Sequence, residues 1–299
     1  MRLDDERESR HVEDRRYSGG GGGGRLSAGA LMMLWPLIRG LLRTKIGWAI
    51  LAVGFIAYMS GFNPLSLLGG GGTTSRPVDR QKDDRQAVFI KKVLASTEDV
   101  WTSILRHYGR SYRPPTLVLF RGSTRSRCGY ASAQTGPFYC PRDKKIYLDL
   151  GFYDELARRH GAPGDFAQAY VLAHEVGHAV QDQLGVLGKV HTLQTRALRQ
   201  GDKRQANHLQ IPVELQADCF AGVWAHHARK YLEPGDIEEA MNAASKIGDD
   251  TLQKQAQGYV VPDSFTHGTS KQRMEWFMQG YHSGDLKACD TFAQLSRRR

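Results

Sequence analysis

The stretch Phe166–Leu184 reads FAQAYVLAHEVGHAVQDQL and contains His174-Glu175-Val176-Gly177-His178, which has the form H-E-x-x-H. A helix turns about 100° and rises about 1.5 Å per residue, so positions four apart share one face, about 6 Å apart. Two imidazoles at that spacing can converge on one tetrahedral zinc ion. Glu175 projects from nearly the same side, where a carboxylate can take a proton from a water activated by the metal. Tyr170, Val171, Leu172, Ala173, Val176, Ala179 and Val180 are apolar over more than one face, which predicts a mostly buried helix. The motif fixes only three positions and does not by itself establish a metal. Two histidines and a glutamate on a buried helix are nonetheless costly unless paired or ligated.

A second stretch supplies what the first lacks. Ile211–Ala228, IPVELQADCFAGVWAHHA, carries Glu214 and Asp218 four residues apart, on one face of a predicted helix with Pro212 in its first turn. A catalytic zinc takes a third protein ligand and keeps a position open for water. Glu214 can be that ligand, and Asp218 can accept a hydrogen bond from the ring N–H of one zinc-bound histidine, fixing its tautomer. Leu215, Ala217, Cys219, Phe220, Ala221, Val223 and Trp224 mark this helix as buried, and two buried acids want a cationic partner. His226 and His227 are alternative ligands further along.

Outward from these helices, the 299 residues suffice for one sizeable domain plus extensions, and 40% hydrophobic with 24% charged residues is ordinary globular composition. The formal charge of +10 raises nucleic acid as a partner. No finger, helix-turn-helix signature or aromatic-interleaved basic repeat supports it, so we expect none. Residues 1–45 are expected to be a disordered basic tail and juxtamembrane segment, with six consecutive glycines after Ser18. Ile46–Leu68 runs about 23 residues without a charge, long enough for a single transmembrane helix. Residues 69–78 read as a Gly-rich linker and 79–299 as the zinc-binding domain. Arg39, Arg43 and Lys45 abut the N-terminal end of the span and favour that end inside. The domain is then expected to face outward, into the periplasm if the source is Gram-negative. The four cysteines, Cys128, Cys140, Cys219 and Cys289, all lie in that domain. They permit two disulfides, with Cys128–Cys140 and Cys219–Cys289 the preferred pairing, and match no zinc-finger spacing.

Within the domain, apolar spacing predicts a helix over about 79–108, strands at Thr116–Phe120 and Ile146–Leu150, and a short helix at Phe152–His160. Strand 146–150, just upstream of the metal helix, is either a candidate edge for an extended substrate or a plain core strand. Asp165 is the expected N-cap of the metal helix. Asp236–Lys254 reads as a surface helix or pair of helices. His267, on a loop beside Gly268, is the candidate to stabilise an oxyanion, with Tyr259 and Arg273 as weaker ones.

HEVGHAVQ followed by ELQADCFAGVWA resembles the predicted neutral zinc metallopeptidase family of bacteria, membrane-anchored proteins of the YpfJ type. The resemblance covers roughly Asp79–Tyr281 together with the charged tail and the span. More distantly, H-E-x-x-H with a later E-x-x-x-D resembles the gluzincins, which implies Glu214 as third zinc ligand and Asp218 as support for a ligand histidine. The expected fold is α+β and zincin-like, mostly helical with a small sheet. The expected function is hydrolysis of a peptide or protein substrate. One Zn2+ per chain would sit on His174, His178 and Glu214, with Glu175 as general base and His267 at the oxyanion. Two rivals stand beside it. One is a non-hydrolytic tethered protein in which the zinc is structural or the site binds a partner, a structural zinc showing a fourth ligand such as His191, His208 or His226. The other is an amidase acting on cell-wall peptides.

Overall fold

A computed structural model describes residues 1–17, 79–132, 135–257, 259–261 and 264–293. Among the described residues no helix is long and apolar enough to cross a membrane. The expected span Ile46–Leu68, the linker 69–78 and residues 18–45 lie outside them.

The chain opens with strand β1 (Val12–Asp14), followed by helix α1 (Arg80–His107), β2 (Thr116–Phe120), a hairpin of β3 (Ser123–Ser126) and β4 (Gly129–Ser132), β5 (Phe138–Cys140) and β6 (Lys145–Asp149). Helices α2 (Leu150–His160), α3 (Asp165–Gln183), α4 (Val186–Arg199), α5 (Lys203–His227), α6 (Asp236–Lys246), α7 (Asp249–Gln257) and α8 (Ser270–Ser283) complete it. This is the mostly helical α+β arrangement that the sequence predicts. The four-stranded sheet has the order β1-β2-β6-β5, with β1, β2 and β6 parallel and β5 antiparallel at one edge. Alternation along the strands splits their side chains between two faces. Leu117, Leu119, Ile146 and Leu148 join the main core, whereas Val118, Phe120 and Tyr147 pack with Ala131 and Cys140 on the other face. Both preferred disulfides are present, Cys128–Cys140 and Cys219–Cys289.

Several expectations need correction. Residues 1–17 are not a disordered tail. Met1 and Leu3 are buried, β1 pairs in register with β2, and Arg7 binds Glu98 and Asp99 at 3.0 and 2.7 Å. The Met1 ammonium lies 3.0 Å from carboxylate oxygens of Asp165, Glu233 and Asp236. Composition counts such charges but cannot see that each has a fixed partner. Asp165 consequently does not cap α3. Gly164 is the N-cap, and Glu239 accepts the Phe166 N–H instead. Pro212 is not in a first turn either, because α5 begins at Lys203 under an Asp202 cap and runs through it. Strand β6 is interior, in line with the core alternative, and the edges of the sheet are β5 beside it and β1 on the far side. Helix α6 is not a surface element alone, since Ala240, Ala243 and Ala244 are fully buried.

Helices α5 and α8 touch backbone to backbone. A Cβ on Gly280 would lie 1.9 Å from the Cys219 carbonyl oxygen, and one on Gly222 would lie 2.0 Å from that of Phe277. Gly280→Ala should therefore push two helices apart and cost about 1–3 kcal/mol, read as a lower denaturant midpoint. Gly177, inside the H-E-x-x-H stretch, plays the same part more mildly: its Cβ would sit 3.0 Å from the Ala217 carbonyl oxygen. Its missing side chain lets α3 and α5 approach closely enough for their acids and imidazoles to meet.

Candidate metal centre

His174 and His178 lie one turn apart on α3, their ring centroids 4.8 Å apart and nearly perpendicular. Glu214 reaches across from α5. Its Oε2 is 3.2 Å from His174 Nε2 and 3.5 Å from His178 Nε2. Zinc–ligand bonds of about 2.0–2.1 Å in a tetrahedron place neighbouring donors about 3.3 Å apart. The three residues therefore fit zinc in donor type and in spacing. Among the described residues this cluster has three protein members, as an open catalytic position requires. No fourth ligand joins it: His226 is held by the Tyr281 carbonyl, His227 by that of Gly284, and neither His191 nor His208 belongs to the cluster.

Each donor has an outer partner. Asp218 Oδ1 lies 2.8 Å from His174 Nδ1, as the E-x-x-x-D spacing predicts. Asp218 is itself gripped by Arg273, Nε to Oδ2 at 2.8 Å and a terminal nitrogen to Oδ1 at 2.9 Å, and accepts the Tyr170 hydroxyl at 2.5 Å. The Gln210 amide donates to Glu214 Oε1 at 2.8 Å, leaving Oε2 for the site. His178 Nδ1 meets Gln181 Oε1 at 2.9 Å. Sequence reading missed Gln181, Gln210 and the Arg273–Asp218 pair. The first two carried a signal, since they stand three and four residues from a candidate ligand on its own helix. The third did not, with 55 residues between its partners.

Burial disfavours charge on both rings, but the carboxylates outweigh it. The charge and hydrogen bond of Asp218, with Glu214, hold His174 up at about 10, and Glu214 holds His178 above its ordinary value. Burial raises Glu214 and Asp218, and neighbouring positive charge reverses it. Glu214 lies well below the usual carboxylate range because of the two rings, and Asp218 is drawn down to about 2 by Arg273 and His174. Three donors facing one another this closely favour a positive charge between them, whether ring protons or a metal ion.

Glu175 is not part of the cluster. Its Oε2 accepts the Tyr139 N–H of the edge strand at 2.8 Å, and burial pushes its pKa up against the pull of both histidines. The residues face a cleft of about 760 Å3 that Phe138, Phe152, Leu187 and Leu252 also line. His267 lines it too, with Nδ1 3.1 Å from Asp249 Oδ1. Asp249 Oδ2 gathers the backbone N–H groups of Thr266, His267 and Gly268. Asp249 thus orients His267, a partnership across 18 residues that no local pattern announces. Of the weaker oxyanion candidates, Arg273 is wholly engaged by Asp218, Tyr170 and the Ile247 carbonyl. Tyr259 is 62% exposed and is not among the residues lining the cleft.

The model of a family described as putative neutral zinc metallopeptidase matches residues 1–292. YpfJ of Escherichia coli K12 is 46% identical over 304 residues, covering 98% of this chain and 99% of that protein. The Mycobacterium tuberculosis protein Rv2575 is 43% identical over 211 residues, covering 66% and 68% respectively. No solved structure matches the chain.

Proposed function

We propose, since the chain belongs to the putative neutral zinc metallopeptidase family, that it is a membrane-anchored peptidase in which His174, His178 and Glu214 hold one zinc ion and Glu175 is the general base. The observation that carries this reading is the meeting of Nε2, Nε2 and Oε2 within 3.2–3.5 Å of the shared carboxylate oxygen, drawn from two helices at the floor of a cleft. The bound ion would supply Lewis acidity, acidifying a water and polarising a carbonyl. Glu175 takes the water's proton at its carboxylate as the water attacks the scissile carbonyl, then delivers it to the leaving amine. An extended peptide lies along the outer edge of β5, where Tyr139 already engages Glu175. The three-membered donor set favours this over a structural zinc, which normally takes four protein ligands. The uncharged stretch Ile46–Leu68 supports membrane anchoring. Two disulfides support a periplasmic location for the domain.

His267 stabilises the oxyanion in this reading. With Nδ1–H on Asp249, its Nε2 donates only when the ring is protonated. The hydrogen bond to Asp249 raises the His267 pKa above its ordinary value, against the opposing effect of burial. The donor is fully present below that pKa and is lost as pH rises through it. Asp249→Asn should therefore move the alkaline limb of the kcat/KM profile to lower pH, and an unmoved limb would remove His267 from the role.

Metal content of the full-length chain tests the proposal most directly. We expect near one zinc per chain, chelator-sensitive cleavage of a mixed peptide library, and sharply weakened zinc binding in Glu214→Ala. A folded wild-type protein that takes up no zinc when offered it would sink the reading. Release of muropeptide fragments with no cleavage of ordinary peptides would move the substrate to the cell wall.

A further inference from the structure

We infer that Gln181 is the positioning residue for the second metal-ligand histidine, and that Gln216 and the Cys219–Cys289 disulfide hold Gln181 in place. The inference rests on the zinc reading of the site. The two histidines are oriented by different chemistry. His174 leans on a carboxylate fixed by Arg273, whereas His178 Nδ1 meets the neutral amide oxygen of Gln181 at 2.9 Å. Gln181 is fully buried. Its amide nitrogen donates to the Val213 carbonyl at 2.7 Å and to Gln216 Oε1 at 3.0 Å. Gln216 Nε2 in turn donates to the Cys289 carbonyl at 2.9 Å.

The direction of this relay is not arbitrary. Backbone carbonyls only accept, so Val213 and Cys289 dictate which end of each amide is nitrogen. Gln181 must then present oxygen to His178, and Nδ1 must carry the ring proton. That tautomer leaves the Nε2 lone pair for a metal. Flipping Gln181 would set its oxygen against the Val213 carbonyl oxygen. The terminal acceptor is itself tied down, because Cys289 is bonded to Cys219, three residues beyond Gln216 on the same helix. Thr291 adds a second tie, its hydroxyl donating to the Pro212 carbonyl at 2.6 Å.

Gln181→Met keeps the volume and removes both functions of the amide. Zinc affinity, read by competition with a chromogenic chelator, should fall about 10–100-fold. The visible spectrum of the cobalt-substituted protein should change as the His178 ring tilts, a readout that general loss of stability does not move. Gln216→Met, which leaves Gln181 its bond to Val213, should show the same changes at smaller size, and it carries the test if the first variant does not fold. A folded Gln181→Met protein with affinity within twofold of wild type and an unaltered cobalt spectrum overturns this inference alone. Wild-type protein that binds no zinc overturns it together with the metal reading beneath it.

A second inference stands on a separate observation, the seating of residues 1–17. We propose that they share one side of the membrane with the domain that follows Arg80. Strand β1 is hydrogen-bonded to β2 along its length, and residues 1–18 and 81–299 form one compact unit. A single crossing between Tyr17 and Arg80 would put two paired strands on opposite faces of a bilayer. The pairing therefore requires both strands to lie on one side. All four native cysteines are in disulfides, so exposed Arg10→Cys and Arg199→Cys each introduce one reactive thiol. In intact spheroplasts a membrane-impermeant maleimide should treat the two alike, labelling both or, before lysis, neither. Labelling of one without the other overturns the proposal.

Discussion

Glu175→Gln should bind zinc as tightly as wild type and hydrolyse peptides about 100- to 10,000-fold more slowly, the range that a positioned general base contributes. The substitution is nearly isosteric, and an amide oxygen can still accept the Tyr139 N–H that Glu175 accepts at 2.8 Å. What it loses is the ability to take a proton. Glu175 stands outside the His174–His178–Glu214 cluster, so metal affinity should not follow activity down. Burial, opposed by the two histidines, raises its pKa, bringing it closer to the value a base needs near neutral pH. Turnover within tenfold of wild type, with zinc retained, would take the base role away from Glu175. Loss of zinc would show that the carboxylate supports the ligands rather than the proton transfer.

Arg273→Met should destabilise the protein by about 3–5 kcal/mol, because it strips buried Asp218 of its guanidinium partner and leaves only His174 and the Tyr170 hydroxyl against that charge. Asp218 is fully buried and Arg273 is 2% exposed, so water cannot replace the lost partner. The pH dependence carries a sign. Asp218 is held down at about 2 by Arg273 and His174 against burial, so its contribution in wild type is present above its unfolded pKa near 4 and is lost as pH falls toward 2. The gap between wild type and variant should therefore be widest near neutrality and should narrow below about pH 4. Urea midpoints at pH 7 and pH 3 measure it. A gap that does not shrink at low pH would mean that Arg273 stabilises by packing rather than by charge. Arg273→Lys should recover only part of the loss, since one ammonium cannot reproduce two parallel N–H bonds to a carboxylate.

Local pattern was a sound guide wherever both partners sit on one element. His174 and His178, or Glu214 and Asp218, are one helical turn apart, and helix geometry alone puts each pair on a common face. The strands and the first long helix were legible for the same reason, since their periodicity is local. Pro212 misled because a proline most often marks a first turn, whereas here burial along α5 carries the helix through it. Strand 146–150 leaves edge and core readings equally open, because nothing in five residues tells how many neighbours a strand has.

By itself, then, the sequence determined the two buried helices, the shared face of His174 and His178, that of Glu214 and Asp218, and the cysteine supply, all properties read within short stretches of chain. Only the tertiary structure decided which side chains meet across tens or hundreds of residues: Arg273 on Asp218, Asp249 on His267, the glutamine relay ending at Cys289, and the seating of Met1–Tyr17 on the sheet. Those partnerships follow from how helices and strands pack in three dimensions. A buried charge or amide needs a partner, but nothing in its own stretch of sequence says which distant element will bring one.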